Sequence, residues 1–176
     1  SAPQVPRPRM DLAALWTRSG QAAKACKTLT EALYAAPSAI PLIAPLLAQS
    51  ALAAGEGEAT LALLKSTYLD VPSLDVLDAI VTLEASSSEL TPTARDWYAR
   101  HLEKEPSLVA ATKWIAGEKL EREAFHPQVQ RALDHAVKPL TRYRCAACGF
   151  EAKVHFWQCP GCQAWDSYPA RRVEEL

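Results

Sequence analysis

Glycine is scarce in this chain, six residues in 176, and it falls only where the pattern breaks. Between those points Ala, Leu, Glu, Lys and Gln run on, so the helix signal dominates from Met10 to Lys138. A surplus of charge is also missing. Nineteen basic residues face twenty acidic ones, for a net charge of −1. That balance gives no bulk electrostatic case for nucleic acid or an anionic membrane. Apolar runs stop short of the roughly 18–20 residues that span a bilayer. "IPLIAPLLAQSALAA", Ile40 to Ala54, comes nearest, but two prolines and two polar residues interrupt it. The opening "SAPQVPRPRM" lacks the apolar core of a signal peptide. His101, His126, His135 and His155 are scattered, with no His-Glu-x-x-His or nucleophile–base spacing. No catalytic constellation stands out, and the chain reads as a non-enzyme. A hydrophobic fraction of 49% and a charged fraction of 22% suit a soluble globular protein.

What is present is repetition. "GQAAKACKTLTEALYAAP" (Gly20–Pro37) and "GEGEATLALLKSTYLDVP" (Gly55–Pro72) both open on glycine and close on proline. "ELTPTARDWYARHLEKEP" (Glu89–Pro106) keeps the closing proline without the opening glycine. A period near 34 residues is that of a helix–turn–helix unit. Glycine opens the turn because it tolerates the left-handed conformation at a helix end. Proline ends one helix or starts the next because it lacks an N–H. Small residues recur at Ala25, Thr60 and Ala94, and again at Ala32 and Thr67, with His101 in the third copy. Leu29, Leu64 and Tyr98 fill the space between. The spacing predicts helices over 10–18, 20–35, 38–53, 56–69, 73–86, 92–104, 107–121 and 126–138. The last of these is expected to cap the stack. Cys26 falls on an apolar helix position and reads as a small buried hydrophobe. His101 takes a packing position, and Trp97 and Trp114 read as packing residues. Three segments are expected: an extended leader over 1–9, helical repeats over 10–139 and a cysteine module over 140–176.

The other four cysteines form two pairs, Cys145-x-x-Cys148 and Cys159-x-x-Cys162, with ten residues between them. A divalent metal such as zinc takes four thiolates in a tetrahedron at about 2.3 Å. Two intervening residues let one tight turn present both thiolates of a pair. Gly149 follows the first pair, and Pro160-Gly161 inside the second is a turn signal. Paired spacing in a chain otherwise poor in cysteine therefore points to metal ligands rather than disulfides. About 30 residues bury too little apolar surface to fold alone, so the metal is expected to hold the module together. Tyr143, Phe150, Phe156, Trp157 and Trp165 are expected to form an aromatic core around it. Four thiolates on a divalent ion carry −2. Arg142, Arg144, Lys153, Arg171 and Arg172 either offset that charge or form a solvated face. His155 lies between the pairs, but four cysteines already complete the shell. Iron and zinc both suit these ligands.

The repeats over roughly 10–120 resemble the tetratricopeptide repeat family, although the first helices lack most of its favoured Trp, Leu, Gly and Tyr. The stretch "YRCAACGF … FWQCPGCQAW" resembles a rubredoxin or zinc-ribbon knuckle pair. Rubredoxins separate their pairs by a longer loop than this one. The combination, with Pro169-Ala170-Arg171 after the second pair, resembles the lipopolysaccharide assembly protein B family of Gram-negative bacteria. The fold so implied is mainly α, a tetratricopeptide-like solenoid followed by a small rubredoxin-like module. The resemblance implies a regulatory adaptor on the cytoplasmic face of the inner membrane. Members help the membrane protease FtsH degrade the deacetylase that commits material to lipid A. Other envelope-assembly proteins are further implied partners. Members begin with a membrane anchor and carry more repeats, so the chain is expected to be a piece of a longer protein. Cys145, Cys148, Cys159 and Cys162 carry over as ligands of one iron or zinc ion. The competing reading is electron transfer through iron with a docked redox partner. A zinc ribbon that binds nucleic acid ranks third, against the neutral charge.

Overall fold

The computed structural model describes residues 5–85, 92–116 and 126–176. The described residues form a mainly helical protein with a small two-stranded sheet beside the four cysteines. The chain divides into two compact units, Ser1–Ala94 and Arg95–Leu176.

The first unit contains α1 (Arg7–Arg18), α2 (Ala22–Ala35), α3 (Ile40–Ala54), α4 (Gly57–Asp70) and α5 (Leu74–Ala85). Helix α1 starts inside the segment expected to be extended. Pro8 sits in its first turn, where a missing N–H costs nothing and the fixed φ suits the helix. Each helix packs on its sequence neighbour, and α3 also packs on α5. Gly20 and Gly55 have φ of 74° and 73°, the left-handed conformation expected of them. At Gly55 the chain reverses with Glu56 N–H donating to the Ala51 carbonyl, which satisfies an orphan acceptor of the last turn of α3. Pro37 opens a short 3-10 turn (Pro37–Ala39) that feeds α3. Pro72 stands before Ser73, whose Oγ accepts the Val76 N–H at the start of α5.

The repeat register is visible in what is buried. Ala25, Leu29, Ala32, Thr60, Leu64 and Thr67 are all buried on the inner faces of α2 and α4. Cys26, 2% exposed, lies 3.9 Å from Thr60 Oγ1, a contact between residues 34 apart. Burial is also what raises the Cys26 thiol pKa. Helix α3 is the core of the unit, with Ile43, Ala44, Leu47 and Ala51 at 0% exposure. Joined to the 3-10 turn, it makes an apolar helical stretch of 18 residues, Pro37–Ala54, with mean hydropathy 1.4. That reaches the length of a short membrane span, which the interrupted run in the sequence did not suggest. Half of the stretch is buried against its neighbours.

The second unit contains α6 (Pro92–Lys104), α7 (Leu108–Ala116), α8 (His126–Val137) and the strands β1 (Tyr143–Arg144) and β2 (Glu151–Ala152). Helices α7 and α8 pack together. Tyr98 is 8% and His101 2% exposed, so these two positions are buried, as Leu64 and Thr67 are in α4. Trp97 and Trp114 are partly buried, as packing residues would be. The side chain of Ala94 and the expected extension of α7 to residue 121 lie outside the described residues. Ser107 follows Pro106 as Ser73 follows Pro72, and its Oγ accepts the Ala110 N–H.

Leu47 and Leu69 test this burial pattern. Leu47→Ala removes a side chain with no exposure and should cost about 2–5 kcal/mol in denaturant unfolding. Leu69 is 67% exposed, and Leu69→Ala should stay within about 0.5 kcal/mol of the parent.

Candidate metal centre

Two congruent turns build the site. In the first, Cys145 N–H donates to the Phe150 carbonyl at 2.9 Å and Gly149 N–H to the Cys145 carbonyl at 2.9 Å. In the second, Cys159 N–H donates to the Ala164 carbonyl at 2.9 Å and Gln163 N–H to the Cys159 carbonyl at 2.8 Å. Flanking pairs follow the same offset: Arg144 opposite Glu151 in the β1–β2 ladder, Gln158 opposite Trp165 in an isolated bridge. Each turn closes on a left-handed residue, Gly149 at φ 77° and Gln163 at φ 61°. The second turn thus takes its special conformation at Gln163, not at the Pro160-Gly161 pair that marks it in the sequence. Gly161 serves closeness instead: a Cβ there would come within 3.3 Å of the Phe150 ring. A left-handed non-glycine residue costs about 1–2 kcal/mol, which the surrounding hydrogen bonds must offset.

Together the turns bring the four sulfurs within 4.8 Å of one another. Cys145 and Cys159 are buried, and Cys148 and Cys162 face outward. Sulfurs this close cannot all hold negative charge without a cation among them. Ser167, whose Oγ lies 3.2 Å from Cys145 Sγ, holds Cys145 down to about 6, helped by the N–H groups of Cys148 and Ala147. Cys148 receives the Phe150 N–H but faces the other three sulfurs, and is pushed up to about 12. A divalent metal removes that conflict by taking all four as thiolates. The donor set is soft, compact and four in number, which fits one iron or zinc ion.

The aromatic core differs from the one expected. Tyr143 is buried, and Phe156 and Trp157 are half-buried, but Phe150 is 44% and Trp165 60% exposed. Phe150 covers Gly161 on the outside of the turns, and Trp165 flanks the second turn with its ring in solvent. Their place inside is taken by His155 and Tyr168. The His155 ring meets Tyr143, Trp157 and Tyr168 edge-on, with centroids 5.5, 4.7 and 6.0 Å away. Burial holds its pKa below the ordinary value. The ring is therefore neutral at pH 7, and Nε2 donates to the Tyr168 carbonyl at 3.1 Å. Tyr168 in turn donates from its hydroxyl to the Phe150 carbonyl at 3.1 Å, tying the core to the first turn.

Three of the basic residues near the knuckles, Arg142, Arg144 and Arg172, are engaged elsewhere. Arg144 and Arg142 pair with Glu151 at 2.8 and 3.6 Å. The Arg172 guanidinium lies 4.3 Å over the Tyr143 ring and donates to the Thr141 carbonyl at 2.8 Å. From there the C-terminal segment runs back along the turn after α8. Val173 N–H donates to the Arg142 carbonyl and Glu174 N–H to the Leu140 carbonyl. The Glu174 carboxylate then accepts from Leu108 N–H at 2.6 Å, Val109 N–H at 3.1 Å and Ser107 Oγ at 2.8 Å. It caps the N-terminus of α7 and meets the positive end of its dipole. Nothing in "VEEL" announces this clamp in the sequence. Ser167, Tyr168, Gln163 and Glu174 are the site-building residues that spacing did not reveal.

Residues 143–168 match the family described as "Rubredoxin metal binding domain". The chain is 44% identical over 41 residues to lipopolysaccharide assembly protein B of Escherichia coli strain K12. The same figures hold for that protein in strains O6:H1 and O157:H7. The C-terminal module is similar to the metal-binding domain of lipopolysaccharide assembly protein B. The matched segment covers 23% of this chain and 10% of each relative, so the likeness is a likeness of this module. In its rubredoxin-type domain the ten-residue gap between pairs is filled by β2, the His155 core and little else.

Changing Cys145 and Cys148 to Ser should abolish stoichiometric metal, seen by elemental analysis. The amides of residues 143–168 should then lose their dispersion in NMR spectra, because structural zinc carries about 10–16 kcal/mol of apparent binding energy in such modules. Retained metal with unchanged dispersion would defeat the assignment. Glu174→Ala should keep the metal but speed hydrogen exchange over residues 108–112, at a local cost of about 1–2 kcal/mol.

Proposed function

We propose that this chain is part of a regulatory adaptor of lipopolysaccharide biosynthesis. Its helical repeats grip protein partners, and the metal-stabilised module is a structural cap and second docking face. The observation that carries the reading is the chain's 44% identity over 41 residues to lipopolysaccharide assembly protein B, together with a four-cysteine cluster and a helical unit. On this reading Cys145, Cys148, Cys159 and Cys162 ligate one ion, and residues 10–139 form tetratricopeptide-like repeats. Buried positions one period apart, as at Cys26 and Thr60, support that geometry. Stacked helix pairs offer the extended surface on which such proteins hold partners. The partners proposed are the membrane protease FtsH, the lipid A-committing deacetylase it degrades, and other envelope-assembly proteins. The site of action is the cytoplasmic face of the inner membrane, and the role is not catalytic. Among the described residues no nucleophile–base pair is assembled in a cleft.

One observation favours a second reading. Cys148 and Cys162 face outward, a route by which an iron centre could exchange electrons with a docked partner.

Immobilised chain should retain FtsH or the deacetylase from detergent-solubilised Gram-negative envelopes. The Cys145→Ser/Cys148→Ser variant should retain less of either. A folded, metal-loaded chain that captures neither would overturn the adaptor reading. Capture of a reductase or oxidase, with a reversible iron potential, would establish electron transfer instead.

A further inference from the structure

A second site lies in the same unit, among the residues that anchor the tail. Lys138, Thr141, Arg142, Lys153 and Arg172 line a cavity of about 370 Å³. Four of the five carry positive charge, and no acidic side chain lines it. Three segments supply them: the turn after α8, the chain following β2, and the C-terminal segment. In a chain with net charge −1, this concentration of one sign is local and not a reflection of composition.

The cavity is built rather than incidental. Arg172 is fixed by the Tyr143 ring beneath it and by its bond to the Thr141 carbonyl. Arg142 is held by backbone bonds on both sides, its N–H to the Pro139 carbonyl and its own carbonyl accepting from Val173. Glu151 touches Arg142 at 3.6 Å but binds Arg144 more closely, at 2.8 Å, and stands outside the lining. Two guanidinium forks and two ammonium groups thus line one cavity, with Glu151 and Glu175 beside the lining rather than in it. Like charges so placed repel, and an anion relieves the repulsion. Guanidinium groups bind phosphate oxygens in bidentate fashion, and lysines add point charge. A phosphomonoester dianion or a diphosphate presents more acceptor oxygens to two forks and two ammonium groups than a single carboxylate does.

We propose that this cavity binds a phosphomonoester or diphosphate anion, through Lys138, Arg142, Lys153 and Arg172. It is independent of the sulfur cluster and of the partner reading above. The phosphate belongs either to a soluble molecule or to a lipid headgroup.

The test uses the full metal-loaded chain and a Lys138→Gln/Lys153→Gln variant, since both lysines are exposed and neither anchors the tail. Calorimetric titration with pyrophosphate at low salt should give saturable one-site binding, weakened roughly tenfold or more in the variant. Metal content and helix content should be equal in the two. Flotation with phosphatidylcholine vesicles, with and without phosphatidic acid, separates the sources. Lysine-dependent flotation only with phosphatidic acid identifies a lipid headgroup; pyrophosphate binding without flotation identifies a soluble ligand. No saturable pyrophosphate binding, or binding equal in chain and variant, overturns the proposal. Preference for an acidic peptide over pyrophosphate also overturns it.

Discussion

Four sulfurs within 4.8 Å are a constraint the protein cannot meet alone. Ser167 and the local N–H groups favour one thiolate at Cys145, while crowding keeps Cys148 protonated. A soft divalent ion reverses this, turning repulsion among ligands into four bonds. The rest of the second unit hangs on that reversal. The two turns have little ladder around them, one two-residue pairing and one bridge. The aromatic core beneath them is small and centres on one neutral histidine. Bonds to a metal replace the buried apolar area that so short a segment lacks.

From that anchor, order is passed along the chain by named contacts. Tyr168 joins the aromatic core to the first turn, and Tyr143 carries Arg172 on its face. Arg172 positions the C-terminal segment, and Glu174 ends on the first turn of α7. The metal module and the last described helices are thereby one compact unit. This gives the metal a physical way to stiffen a helical surface it does not touch. The same chain of contacts gathers four cations at one cavity, although the protein as a whole is neutral. Bulk charge gives no case for nucleic acid or an anionic membrane at an extended surface. It says nothing of a cavity four side chains wide.

The knuckles illustrate how sequence and structure divide the work. Spacing located both turns and all four sulfurs, because two-residue gaps and metal geometry are local matters. It marked the second turn by Pro160-Gly161 without showing that Gln163 takes the left-handed conformation or that Gly161 makes room for Phe150. Aromatic content suggested a core of Tyr143, Phe150, Phe156, Trp157 and Trp165, from which Phe150 and Trp165 depart. Both instead lie at the surface, because the turns they flank point outward, and Tyr168 and His155 take the interior. Composition cannot tell an inward ring from an outward one.

By itself the sequence determined the helices and their period, since glycine, proline and small-residue spacing act over a few residues. It determined the metal-binding chemistry, since paired cysteines have few other uses in a cysteine-poor chain. Tertiary structure alone decided where the long-range polar groups go. Glu174 reaches across 66 residues to Leu108, and Lys138, Lys153 and Arg172 converge from distant segments. Such contacts depend on where separate elements come to rest. No periodicity encodes that, because it is set by the packing of the whole unit.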